Sequence, residues 1–277
     1  MAHTEPRRLH PFFELPRPIV IGHRGCAGEV PENTLESFAA GLEAGAAILE
    51  TDAHLTRDGV PVLIHDNEVS RVCDGSGQVT AMTLDELKRL DFGYHFTTNG
   101  GRSHPRRGRG VRIATLAEAL KAFPDARFNI ELKEDVEGLV ERTVEAVREA
   151  GREQTTLLTS GEDGLMRRLR DHLAATGSKL AQGASAADVL AFVRTALDGT
   201  TAPAGPMALQ VPESFGSRPL VTEAFVAHAH RHGIHVHVWT INDREAMHRL
   251  LDLGVDGLVT DFPGRMLAVV AERNAAN

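Results

Sequence analysis

Cysteine is nearly absent. Cys26 and Cys73 are the two in 277 residues, too few for a disulfide framework and without a CxxC zinc spacing. A reduced, cytoplasmic chain is therefore expected. Long apolar runs are also missing, and none approaches the roughly 18 residues that a membrane helix needs. The N-terminal stretch MAHTEPRRLHPFFELPRP holds arginines but no apolar core, so no signal peptide is expected. Positive charge is in deficit: 30 Lys and Arg against 38 Asp and Glu leave a formal net charge of −8. That balance argues against nucleic acid, or an anionic membrane surface, as a partner held by charge. A small anionic substrate stays admissible, because a local cluster can oppose the global sign. The first apolar run is not followed by GxGxxG, so there is no dinucleotide fingerprint.

What the chain does have is alternation. Short β-branched runs near residues 20, 49, 130, 157, 181, 209, 237 and 259 are each followed by an amphipathic stretch. Eight such units of one hydrophobic character predict a (β/α)8 TIM barrel, a single domain over 1–277. Capping signals support the helices, as in Asn33-Thr34-Leu35-Glu36 and Thr115-Leu116-Ala117-Glu118. The rhythm breaks between residues 66 and 112. That stretch reads as a small insertion after the second barrel strand, a loop and short helix over the barrel mouth. VPVLIHD (60–66) would be an extra strand beside the second one, and the arginines of RSHPRRGRG (102–110) read as a solvated loop.

In such a barrel the active site lies at the carboxyl ends of the strands. The first strand ends at His23-Arg24, the second in Glu50-Thr51-Asp52, the excursion strand in His65-Asp66, the third in Glu131-Leu132-Lys133 and the seventh in Trp239. Glu50 and Asp52 leave one face of their strand, as do Glu131 and Lys133. Three carboxylates aimed into one cleft repel by ~4 kcal/mol per pair at ~4 Å and an effective dielectric of ~20. Lys133 offsets part of this. A divalent cation, or a strongly raised carboxyl pKa, would resolve the rest, and oxygen-only ligands favour Mg²⁺ or Ca²⁺ over zinc. Arg24 suits bidentate recognition of a phosphate, and His23 and His65 suit acid–base work near neutrality. Together they point to phosphoryl chemistry. Trp239 stands high enough to touch substrate. His235 and His237 read as barrel-interior packing, His228, His230 and His232 as surface residues, Cys26 as a bystander, and Asn33 as a helix cap.

HRG, PENT, ETD, LTRDG and IHD, in that order, resemble the signature of the glycerophosphodiester phosphodiesterase family. GSGQVTAMTLDELKRLDFG resembles that family's insertion, IELK its third strand, and VHVWTIN with GVDGLVTDFP its last two barrel strands. The match runs from about residue 19 to 265. The resemblance implies a metal-dependent hydrolase that releases sn-glycerol 3-phosphate and an alcohol. By motif, His23 and His65 would be the acid–base pair; Glu50, Asp52 and Glu131 would hold one cation; Arg24 and Lys133 would meet the phosphate. Ile113-Ala114-Thr115 stands where the family usually has Ile-Pro-Thr, and Ser160-Gly161 where Ser-Phe is common, so the head-group pocket is expected to differ. The expected partner is a small glycerophosphodiester, with no stable membrane association. The rivals are a lysophospholipase D-like or phospholipase C-like lipid phosphodiesterase on the same barrel, and a non-enzymatic binding barrel.

Overall fold

The structure is a computed structural model that describes residues 10–276; the part of the signal-peptide expectation that falls on residues 1–9 lies outside the described residues. Eight parallel strands make the barrel wall: β1 (Ile19–Gly22), β2 (Ile48–Leu55), β5 (Arg127–Leu132), β6 (Thr156–Thr159), β7 (Ala181–Gln182), β8 (Ala208–Pro212), β11 (His235–Trp239) and β12 (Gly257–Thr260). Their order is β7-β6-β5-β2-β1-β12-β11-β8. The two ends meet through the Met207 N–H, which donates to the Gln182 carbonyl at 2.9 Å. All eight expected strands are therefore found, in barrel order.

One strand is longer than expected. β2 runs on past Asp52 to Leu55, where Ala53 to Leu55 pair antiparallel with β3 (Pro61–Leu63), and β3 pairs in turn with β4 (Ala114–Thr115). Glu50 and Asp52 thus project from within a strand held on both sides. Between β3 and β4 the chain holds α2 (Leu84–Lys88) and a small apolar core of its own, including Val69, Cys73, Leu87, Phe92 and Val111. A two-stranded hairpin, β9 (Ser214–Phe215) with β10 (Arg218–Pro219), follows β8 and has no signal in the sequence pattern.

The wall helices are α1 (Leu35–Glu43), α3 (Leu116–Ala122), α4 (Leu139–Glu149), α5 (Asp163–Thr176), α6 (Ala186–Asp198), α7 (Glu223–Arg231), α8 (Arg244–Asp252) and α9 (Pro263–Ala276). Thr115 and Ser185 close capping boxes with Glu118 and Asp188. α4 buries Leu139, Val140, Thr143, Val144 and Val147. These occupy one helical face, and each buried valine or leucine contributes ~1.5–3 kcal/mol. Gly138, at φ 92°, stands in the left-handed region ahead of Leu139 and sets the start of α4. At the amino-terminal end of the barrel, Phe12 and Phe13 from the turn Pro11–Phe13 pack with Ile19, Ile21, Ile48 and Val259. His235 and His237 are buried, with Phe13 stacked 4.3 Å from the His235 ring, as the interior reading expected. His228 is a correction: it is 1% exposed and packs on Phe192, since the helix turns it inward, while His230 stays exposed. No described helix is long and apolar enough to cross a membrane.

Candidate active site

The carboxyl ends of the barrel strands surround a cavity of about 290 Å³. His23, Arg24, Glu50, Asp52, His65, Glu131, Lys133 and Trp239 all line it. All eight candidate site residues are thus brought to one place. Asn129, Thr159, Gly161, Ala184, Gln210, Thr240 and Val259 complete its wall. A Cβ at Gly161 would meet Glu131 Oε1 alone, at 3.9 Å, so this side of the cavity is open.

The loop after β1 is shaped by close packing. A Cβ on Gly22 would lie 2.2 Å from the Gly25 carbonyl oxygen, and one on Gly25, at φ 90°, would strike Ser37. The glycines of GHRG therefore make room for backbone. Arg24 between them has φ 48°, a left-handed conformation that costs an L-residue ~1–2 kcal/mol. The turn aims its backbone N–H at Glu50 Oε2, 2.9 Å away.

Glu50, Asp52 and Glu131 offer carboxylate oxygens within 4.8 Å of one another. Glu50 and Asp52 are buried and Glu131 partly so. Burial first, and then the Asp52 charge, push Glu50 up to about 7. Lys133 Nζ lies 3.6 Å from Asp52 and 3.3 Å from Glu131, and Arg24 Nε 3.4 Å from Asp52. With all three ionised, two cations facing three carboxylates leave an excess of negative charge, which the raised Glu50 pKa relieves when no cation is bound. An all-oxygen cluster with that residual charge fits a hard divalent cation.

Each histidine is held from behind. His23 donates from Nδ1 to Asp261 Oδ1 at 2.6 Å, and the Asn242 side chain donates to the other Asp261 oxygen at 2.6 Å. Burial opposes a charge on His23, but the Asp261 hydrogen bond and the nearby Glu50 outweigh it and raise its pKa. His65 donates from Nδ1 to Asp66 Oδ1 at 2.6 Å, and buried His54 donates to the His65 carbonyl at 3.0 Å. Both imidazoles therefore keep Nε2 for the cavity side.

Sequence reasoning missed several of these supports. Asn33 is not the cap of α1; Thr34 is, accepting from the Ser37 N–H. Asn33, at φ 57°, instead donates to Asp52 Oδ2 at 3.0 Å and accepts from Thr51 at 2.7 Å. Glu32 pairs with Arg24 at 2.7 Å and with Arg71 at 2.6 Å. Asp261 follows the last strand, where the TD of GVDGLVTDFP was the available signal. The arginines of 102–110 stay outside the cavity, with Arg106 3.4 Å from Glu36 and Arg107 stacked on Tyr94.

The sequence pattern of the glycerophosphoryl diester phosphodiesterase family matches residues 23–265. The chain belongs to this family. A glycerophosphodiester phosphodiesterase of Caldanaerobacter subterraneus is 31% identical over 260 residues, 91% of this chain and 97% of that one. A structure from Silicibacter pomeroyi, provisionally assigned to the same activity, is 28% identical with a TM-score of 0.77, over 95% of this chain and 97% of its own. A phosphodiesterase of Oleispira antarctica, solved with its product sn-glycerol-3-phosphate, is 27% identical with a TM-score of 0.69 over 92% and 97% of the two chains.

Proposed function

We propose that this family member hydrolyses small glycerophosphodiesters to sn-glycerol 3-phosphate and an alcohol. The observation that carries the reading is the meeting, in one cavity, of two aspartate-held histidines, three clustered carboxylates and the Arg24 guanidinium. Glu50, Asp52 and Glu131 would hold one divalent cation, Mg²⁺ or Ca²⁺. Such an ion neutralises phosphate oxygens and stabilises the charge that grows in the transition state. Arg24 and Lys133 bind the phosphodiester oxygens, and Trp239 lies against the organic part of the substrate. The stretch 66–112 is read as an insertion at the mouth of a single barrel domain.

His23 and His65 share the proton transfers. One takes a proton from the attacking oxygen as the new P–O bond forms. The other gives a proton to the alkoxide as the ester P–O bond breaks. Asp261 and Asp66 fix the Nδ1–H tautomers, so that Nε2 is the atom that exchanges the proton. The attacking oxygen is water or the substrate's own 2-hydroxyl. A 2-deoxy analogue that is hydrolysed at the normal rate excludes the internal route.

The test is product identity across a panel of diesters. Glycerol 3-phosphate together with free choline, ethanolamine or glycerol supports the reading. A phosphorylated head group instead would assign a phospholipase C-like cut. Turnover confined to acylated substrates, with release of lysophosphatidate, would assign a lysophospholipase D.

A further inference from the structure

His23 and His65 occupy similar positions but are braced differently. The brace of His23 belongs to the barrel itself. Asp261 follows β12, and Asn242, between β11 and α8, both donates to its side chain and accepts from its backbone N–H at 2.9 Å. The brace of His65 reaches outside the barrel. Its only described side-chain hydrogen bond goes to Asp66 Oδ1, and the other Asp66 oxygen accepts from Nε of Arg71. Arg71 does not line the cavity. Its two terminal nitrogens grip both oxygens of Glu32, at 2.9 and 2.6 Å. Glu32 in turn accepts from Arg24 Nη1 at 2.7 Å. A chain of alternating charge therefore runs Arg24, Glu32, Arg71, Asp66, His65. It joins the end of β1 to the loop after β3.

We propose that Arg71 and Glu32 are positioning residues: Arg71 orients Asp66 and through it the His65 ring, and Glu32 ties that orientation to Arg24. The inference rests on the reading of His65 as a proton-transfer group. A guanidinium with three nitrogens on two carboxylates has one geometry, and a planar fork of this kind loses little freedom on pairing. Without Arg71, Asp66 keeps only the histidine as a side-chain partner and can turn with it into solvent, since both are about one-third exposed. His65 then loses its fixed tautomer, and the distance between the imidazole and the Arg24 guanidinium is no longer set. The segment after β3 would in this way serve catalysis without touching substrate.

The experiment compares the wild type with Arg71→Met, Arg71→Lys, Glu32→Gln, His65→Ala and Arg71→Met/His65→Ala on glycerophosphocholine. An aryl phosphodiester is run in parallel, so that weak activity stays measurable. Arg71→Met is expected to lower kcat by about 10–100-fold, by analogy with the loss of a hydrogen-bond partner that orients a metal-ligating histidine, with KM changed little. Arg71→Lys recovers part of the loss, and Glu32→Gln falls between. In the His65→Ala background, Arg71→Met has no further effect. The second readout is the ¹⁵N spectrum of the His65 ring, assigned with His65→Ala. It reports the Nδ1–H tautomer in the wild type and a mixture in Arg71→Met. Equal losses from Arg71→Met with and without His65, or an unchanged tautomer, would overturn the proposal. A wild-type protein with no diesterase activity would instead remove the reading it rests on, and the ring spectrum would still report whether Arg71 orients His65.

Discussion

Replacing His235 and His237 together with glutamine removes two imidazoles that fold in the neutral form inside the barrel. They are 2% and 1% exposed, and both nitrogens of His235 and Nε2 of His237 are buried without hydrogen-bond partners. Burial, the largest influence on each, lowers His235 to about 4 and His237 to about 3, from an ordinary 6.5. The folded values are depressed, so the unfolded chain takes up protons first as the pH falls. The stability tied to the neutral rings is complete above 6.5 and drains away as the pH drops toward the folded values. Between about pH 7 and about pH 5 this amounts to ~2 kcal/mol per ring and ~4 kcal/mol for the pair. Glu50 and His23, whose pKa values are raised, shift stability the opposite way over this range. Their contribution is common to wild type and variant and cancels in the difference. The assay is denaturant unfolding of both proteins at the two pH values. The wild type should lose ~4 kcal/mol more than the double variant on acidification. Equal losses would refute the claim that these rings fold neutral.

Other consequences are catalytic. His23→Ala and His65→Ala should each lower kcat by ~10²–10⁴-fold in steady-state assays. Asp261→Asn leaves one oxygen where the carboxylate accepts from both His23 and Asn242, so the His23 tautomer is no longer fixed, and kcat should fall by a similar ~10²–10⁴-fold with the fold intact by circular dichroism. Asp52→Asn should weaken Mg²⁺ or Ca²⁺ binding, measured by calorimetry, by ~10-fold or more, because one charged ligand of three is lost.

The sequence was most legible where one physical rule acts alone. Buried parallel strands must be apolar along their length, so IVIG, TLLT and GLVT stand out. The charged residues at their carboxyl ends then stand out by contrast. That is why the sequence places His23, Arg24, Glu131 and Lys133 at the rim where the cavity lies. Positions whose role depends on two distant segments were opaque. Asn33 sits beside a helix start and reads as its cap, but its left-handed backbone turns the amide toward Asp52. His228 reads as a surface residue because histidines two apart in a helix do not share a face, yet it is the one that α7 buries against Phe192. Glu32 and Arg71 are 39 residues apart, and no periodicity links them. The hairpin carrying Phe215 lacked the alternation that marks a strand, because both of its strands are exposed.

The central claim is that three carboxylates hold a divalent cation used to cut a glycerophosphodiester. Its most direct test is to treat purified protein with chelator, supply glycerophosphocholine, and follow glycerol 3-phosphate while Mg²⁺ or Ca²⁺ is added back. The account predicts no product until the cation returns, and recovery that fails in Asp52→Asn at the same concentration. Full turnover in excess chelator would contradict it.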